Sequence, residues 1–191
     1  GTTNVVVNPA TTVDAGPNQS SCNGAVITIA GTIGGGASSS TWSTSGTGTF
    51  GNASSLTSTY TPSVADILAG TVTLTLTTDD PAGPCGQASD LVVISISSSP
   101  NANFSYALTT YCDSGTDPVP VFGSGASGGV FTSTAGLSIS STTGVIDLSA
   151  SAPGNYTVNN NIAANGSCPA ASGSASVTIT ASPAVPVISS N

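Results

Sequence analysis

The 191-residue chain is 38% hydrophobic, enough to build packed cores, yet only 4% charged, against about 25% in ordinary domains. It contains no Lys, Arg, His, Glu or Met; its eight acidic side chains are all Asp, giving a net charge of -8. With no cation to neutralise phosphate, nucleic acid and anionic membrane surfaces are excluded as partners, and with no His, Glu or Lys to move protons or activate a Ser or Cys, an enzyme is not expected.

Zinc and iron sites lose their imidazole ligands, which leaves calcium held by Asp and carbonyl oxygens as the one metal to consider. No apolar run approaches the roughly 20 residues of a membrane span, so membrane insertion is not expected, and no charged segment followed by an apolar stretch marks a signal peptide. Lacking an initiator Met, the chain is expected to be a piece of something longer.

In chain order, residues 1–8 carry Asn4-Val5-Val6-Val7-Asn8, a β-rich run before Pro9. Ile94-Ser95-Ile96-Ser97 and Val177-Thr178-Ile179-Thr180 hold the same place before Pro100 and Pro183, so residues 1–8 read as the last strand of a preceding repeat. After Cys22, Ile27 and Ile29 flank Thr28 with the period-two pattern of a half-buried strand. A turn at Gly34-Gly35-Gly36-Ala37-Ser38 leads to Trp42, expected on the third strand and plugging the core. Residues 63–68 spell one helical turn before Gly70. Val72, Leu74 and Leu76 then alternate with Thr71, Thr73, Thr75 and Thr77, so apolar side chains face inward and hydroxyls face water. Asp79-Asp80 and Cys85-Gly86-Gln87 fall in the loop beyond.

The same punctuation recurs. Cys112 is followed by Gly123-Ser124-Gly125-Ala126-Ser127 and Phe131, and the Ala-to-aromatic step is five in both segments. Cys85 to Pro100 and Cys168 to Pro183 are both steps of 15. These landmarks define two homologous repeats, 9–99 and 100–182, with Pro9, Pro100 and Pro183 at intervals of 91 and 83 residues. Ala184-Val185-Pro186-Val187-Ile188 makes 183–191 the start of a following repeat. About seven short β-rich runs per repeat predict an all-β chain of two tandem immunoglobulin-like antiparallel β-sandwich domains, with Phe131 in the place of Trp42.

Several of these segments carry a resemblance. Val13-Asp14-Ala15-Gly16-Pro17-Asn18-Gln19, Cys22, Trp42, Thr61-Pro62-Ser63 with Ala69-Gly70-Thr71, and Asp80-Pro81-Ala82-Gly83-Pro84-Cys85-Gly86 look like the tandem immunoglobulin-like or PKD-like repeats of giant cell-surface adhesins of Bacteroidota. The second repeat, with Cys112-Asp113-Ser114-Gly115-Thr116 and Gly154-Asn155-Tyr156-Thr157-Val158, resembles an alternating partner type. The pair is most similar to the repeat regions of flavobacterial gliding-motility adhesins. The resemblance implies an extracellular, cell-surface filament and identifies no ligand.

Four Cys, two per repeat at matched places, argue for disulfides. One pairing is within repeats, Cys22 with Cys85 and Cys112 with Cys168. If the immunoglobulin-like strand order holds, however, Cys22 lies at the pole where the domain's C-terminus exits, and Cys85 at the opposite pole. Strands of about seven residues separate the poles by roughly 23 Å, while a disulfide needs Cα atoms within about 7 Å. That order favours Cys22 with Cys168 between repeats, leaving Cys85 and Cys112 for neighbouring repeats.

For calcium, the loop pairs Asp79, Asp80 and Asp113, Asp117 are candidates, though acidic loops are more often simply solvated. Cys85-Gly86-Gln87 lacks the acidic residue of a thioester signature, and isopeptide crosslinks are impossible without Lys. The five Asn-x-Ser/Thr sequons at Asn18, Asn52, Asn103, Asn155 and Asn165 are what so Ser/Thr-rich a chain contains by chance.

The expected role is a stalk or filament segment that holds an adhesive tip away from the cell, in contact with neighbouring repeats of the same chain or filament. A glycan-binding module recognising surface polysaccharide or substratum is the alternative, with Tyr106, Tyr111 and Phe50 as the only aromatics available for stacking. A filament subunit in which residues 4–8 complete a neighbour's sheet is the third reading.

Overall fold

Alternating apolar and hydroxyl side chains become two-faced strands throughout the computed structural model, which describes residues 1–3, 7–81 and 85–183. The chain divides into two compact units, Gly1–Ser98 with Gly166–Cys168, and Ser99–Asn165 with Pro169–Asn191. The expected strand at residues 4–8 and the start of a following repeat at 183–191 fall on or run into segments outside the described residues.

The first unit is built from β1 (Thr12–Asp14), β2 (Gln19–Cys22), β3 (Ile27–Ala30), β4 (Thr32–Gly34), β5 (Ser40–Thr44), β6 (Thr49–Phe50), β7 (Thr57–Thr61), α1 (Val64–Ala69), β8 (Thr71–Thr78) and β9 (Ser89–Ser97). One sheet has the order β2-β9-β8-β5, the facing sheet β3-β7-β6, and β1 pairs with β4. β2 runs parallel to β9, whereas β5 and β9 each pair antiparallel with β8. A first strand laid parallel beside the last, over a second sheet of antiparallel strands, makes this an immunoglobulin-like sandwich.

Val72, Leu74 and Leu76 of β8 are buried, with Val92 and Ile94 of β9 beside them, against Ile27 and Ile29 of β3 and Tyr60 of β7. Each fully buried aliphatic contributes about 1.5–3 kcal/mol. Nine strands are described here where the sequence shows seven runs. Gly16, at φ +82°, with Pro17 breaks the first run into β1 and β2, and Gly31 divides β3 from β4.

The single helical turn has a full set of end signals. Ser63 caps it: its hydroxyl accepts from the Asp66 backbone N–H while the Asp66 carboxylate accepts from the Ser63 N–H. Gly70 closes it in the left-handed conformation at φ +72° and donates its N–H to the Asp66 and Ile67 carbonyls.

The second unit is formed by β10 (Phe104–Ser105), β11 (Thr110–Cys112), β12 (Val121–Phe122), β13 (Val130–Ser133), β14 (Ser138–Ile139), β15 (Ile146–Asp147), β16 (Gly154–Ile162) and β17 (Ala171–Thr180). Its main sheet, β11-β17-β16-β13, repeats the order of the first unit's larger sheet, and β11 is again parallel to the last strand. The other strands form short pairs, β10 with β12 and β14 with β15. Phe131, 1% exposed, lies in the core with Ile146, Leu148, Val158 and Ile179. Phe104 meets it edge-on, with ring centroids 5.4 Å apart. Both units are all-β immunoglobulin-like sandwiches, and they follow one another in tandem along the chain.

Candidate functional site

β2 is short because its polar sequence, Gln19-Ser20-Ser21-Cys22, pairs on one side only with the end of β9 and then turns away. The register sets Cys22 opposite Ser97. Asn23, at φ +52°, and Gly24, at φ +69°, reverse the chain. Cys22 is joined to Cys168 by a disulfide with Cα atoms 4.9 Å apart across a sequence separation of 146, inside the normal range for such a bridge. Cys168 is 1% exposed, and its sulfur lies 3.3 Å from the Ser97 carbonyl oxygen. As an oxidised sulfur it carries no proton, so this is a packing contact. Gly166 approaches Ser97 so closely that an added Cβ would sit 2.2 Å from the Ser97 Oγ.

The bond occupies Cys22 and Cys168 together, which leaves no place for the pairings within repeats, Cys22 to Cys85 and Cys112 to Cys168. Cys85 lies in the loop between β8 and β9 and is half-buried; its thiol points to the Asn8 carbonyl at 3.7 Å. Cys112 ends β11 and is exposed. The residue after Cys85, Gly86, accepts at its carbonyl from Thr11 Oγ1 at 2.9 Å.

Three of the four calcium candidates, Asp79, Asp113 and Asp117, have protein donors as partners. Asp79 accepts from the Ser38 hydroxyl at 2.6 Å and from the Ser38 and Ser39 N–H groups at 2.9 and 3.1 Å. Those bonds hold its carboxyl below the usual range, the Ser38 hydroxyl first among them. Asp113 accepts from the hydroxyl and N–H of Ser182 and is lowered by the same bonds. Asp117 accepts from the Leu148 N–H at 2.9 Å. Asp80 is exposed. Among the described residues no group of three or more Asp, Glu, His or Cys is placed to share a metal ion.

Two of the aromatics expected to offer stacking surfaces serve the cores. Tyr106 is 7% exposed, with its hydroxyl donating to the Gly144 carbonyl at 2.6 Å, and burial pushes its phenol up from the ordinary value. The alternation of Phe104 and Tyr106 turns both rings inward. Phe50 is half-buried, stacked on Trp42 at 6.4 Å and tilted against Tyr60 at 5.1 Å. Tyr111 is also half-buried and accepts from the Leu108 N–H at 2.9 Å. Among the described residues, the large aromatic left exposed is Phe122, at 37%.

Two buried polar centres went unread in the sequence. Asp66 is 3% exposed and accepts from Tyr60 Oη at 2.8 Å, Ser63 N–H at 2.9 Å and Thr47 N–H at 3.1 Å. Gly46 allows this approach, since a Cβ there would stand 2.0 Å from Asp66 Oδ1. In the second unit Asn160, fully buried on β16, donates to the Ala102 and Ser127 carbonyls at 3.0 and 2.9 Å and accepts from the Gly129 N–H at 2.7 Å. Asn160 thereby ties two segments to the strand, the one before β10 and the loop between β12 and β13.

No protein-family model matches the chain, and no curated protein does. Solved structures align along most of it at low identity. Titin domains I67-I69, in an E-to-A variant, are 13% identical over 92% of this chain and 67% of that one, with a TM-score of 0.48. Mouse Cadherin-23 EC22-24 is 15% identical over 92% of this chain and 65% of that one, TM-score 0.44. Sidekick-1 immunoglobulin domains 1-4 are 12% identical over 93% of this chain and 51% of that one, TM-score 0.49.

Proposed function

We propose that the chain is a structural segment of a large extracellular bacterial adhesin, a stalk or filament that presents a distal adhesive region and belongs to a gliding-motility system. The observation that carries this reading is the disulfide between Cys22 and Cys168, 146 positions apart. Repeats 9–99 and 100–182 are then successive links, residues 1–8 and 183–191 belong to the links on either side, and each junction has two covalent connections. One is the peptide path through Pro100, where proline fixes φ; the other is the disulfide. A single peptide linker leaves neighbouring domains free to move, and a second tie removes much of that freedom. A surface of Ser, Thr and Asn with no Lys or Arg suits an exposed stalk, because it is hydrated with little charge and contains no trypsin site.

Small-angle scattering of the chain before and after reduction tests this. Reduction, or Cys22→Ser, is expected to broaden the distance distribution of the oxidised chain. An unchanged profile would overturn the reading. Binding of the oxidised chain to a neutral-glycan array would point to recognition in place of support.

A further inference from the structure

The two units place one cysteine each at the same two points of the fold. Cys22 ends β2 opposite Ser97 of β9, and Cys112 ends β11 opposite Thr180 of β17, each on a parallel pair. The turns that follow carry the same bonds. The Asn23 N–H donates to the Ser97 carbonyl at 2.8 Å, as the Asp113 N–H does to that of Thr180 at 3.0 Å. The Ala25 N–H donates back to the Cys22 carbonyl at 3.0 Å, as the Gly115 N–H does to that of Cys112 at 2.9 Å. Likewise Cys85 lies between β8 and β9 as Cys168 lies between β16 and β17, in each case between the last two strands. One strand-end cysteine and one loop cysteine of this set are already bonded to each other; the other two are free thiols.

We propose that Cys112 is a disulfide site for the loop cysteine of a following repeat of the first type, and that Cys85 is the site for the strand-end cysteine of a preceding repeat of the second type. The partner is a further copy of this same fold. A free thiol alone would say nothing; the bonded pair in the same chain shows what each position holds when its counterpart is present. Cys112 is exposed, as a site awaiting a partner must be. The proposal rests on the filament reading and supplies its rule of continuation: every junction uses a strand-end cysteine from one repeat and a loop cysteine from the other.

The chemistry needs an oxidant, and a small-molecule disulfide such as oxidised glutathione supplies it. The Cys112 thiolate attacks the oxidant, forming a mixed disulfide and releasing one thiolate. The neighbour's Cys85 thiolate then attacks the Cys112 sulfur and releases the second. Two protein thiols are oxidised, one small disulfide is reduced to two thiols, and the protons pass through solvent.

The test fuses two copies at their equivalent prolines, so that residues 1–182 of the first are followed by residues 9–191 of the second. The fusion is refolded in a glutathione redox buffer and mapped without reduction by a protease other than trypsin. A peptide linking Cys112 of the first copy to Cys85 of the second is expected, and the reactive thiols per copy should halve relative to the single chain. Cys112→Ser in the first copy, a change at an exposed strand end, should make Cys85 of the second copy alkylatable again while Cys22–Cys168 persists. Full alkylation of Cys112 and Cys85 in a fusion whose Cys22–Cys168 bonds have formed overturns the proposal and leaves the stalk reading standing. Failure of Cys22–Cys168 as well overturns both.

Discussion

The Tyr60 hydroxyl donates to the buried Asp66 carboxylate at 2.8 Å and stands 3.0 Å from Thr44 Oγ1, joining β7, β5 and the helical turn through one phenol. Desolvation of Asp66 would raise its pKa, but donation from the Ser63 backbone, Tyr60, the Thr47 backbone and the Ser63 hydroxyl together hold it below the ordinary carboxylate value. A carboxyl depressed in the folded state adds stability above its unfolded pKa and loses that stability as pH falls through the folded one. Asp66→Asn should therefore flatten the acid limb of the first unit's stability curve below about pH 4. Asp66→Ala should cost about 2–4 kcal/mol near neutrality through the lost cap and charged hydrogen bonds. Urea titrations at several pH values check both, and an unaltered acid limb in Asp66→Asn would refute the assignment.

Trp42 is 2% exposed and donates its indole N–H to the Ser55 carbonyl at 3.0 Å. Trp42→Ala should destabilise the first unit by about 3–5 kcal/mol through lost burial and the cavity left behind, with the urea midpoint as the readout.

Asn160→Ala should leave the Ala102 and Ser127 carbonyls and the Gly129 N–H without their side-chain partner. A loss of about 2–4 kcal/mol in the second unit is expected. Amide exchange should show faster opening near residues 127–129 while the β8–β9 ladder keeps its protection.

Cys168→Ser removes the bridge. The loop it closes corresponds to about 5 kcal/mol in the chain-entropy description, but part of that loop is the folded second unit, so the first unit should lose about 2–4 kcal/mol. Thermal unfolding of the variant should match that of the reduced parent chain; a difference between them would assign another role to the residue.

Chelation should barely move either transition, since Asp79, Asp113 and Asp117 are already engaged by Ser38, Ser182 and Leu148. A calorimetric scan with and without a calcium chelator is expected to show a shift below a few degrees, and a large reversible shift would reveal a carbonyl-rich site.

Legibility in the sequence followed the periodicity. Val72, Leu74 and Leu76 announce β8 because nothing interrupts the alternation, and the same holds for the end of β17. The short strands around Pro17 and Gly31 are harder to read, since one glycine or proline divides a run without changing its composition. Asp66 could have been found from Ser63 three residues earlier, the spacing of a capping box, but a cap on one short turn does not by itself announce a buried carboxylate. Asn160 and Tyr106 share a simpler signal: each continues an inward series, Tyr156-Val158-Asn160 and Phe104-Tyr106, and polarity disguised the first while isolation disguised the second. The cysteines were legible only through strand order, because their spacing along the chain says nothing about which pole each occupies.

The Cys22–Cys168 bond also sets where tension travels. A pull applied at the two ends crosses from residue 22 to residue 168 through sulfur, so the span between them, a sequence separation of 146, is bypassed by the covalent load path. Unfolding inside that span releases no length while the bond is intact. Reduction unlocks it, adding roughly 500 Å of extensible chain at 3.3–3.6 Å per residue, so the redox state of one pair of sulfurs decides whether the molecule behaves as a tether of fixed length or as a spring.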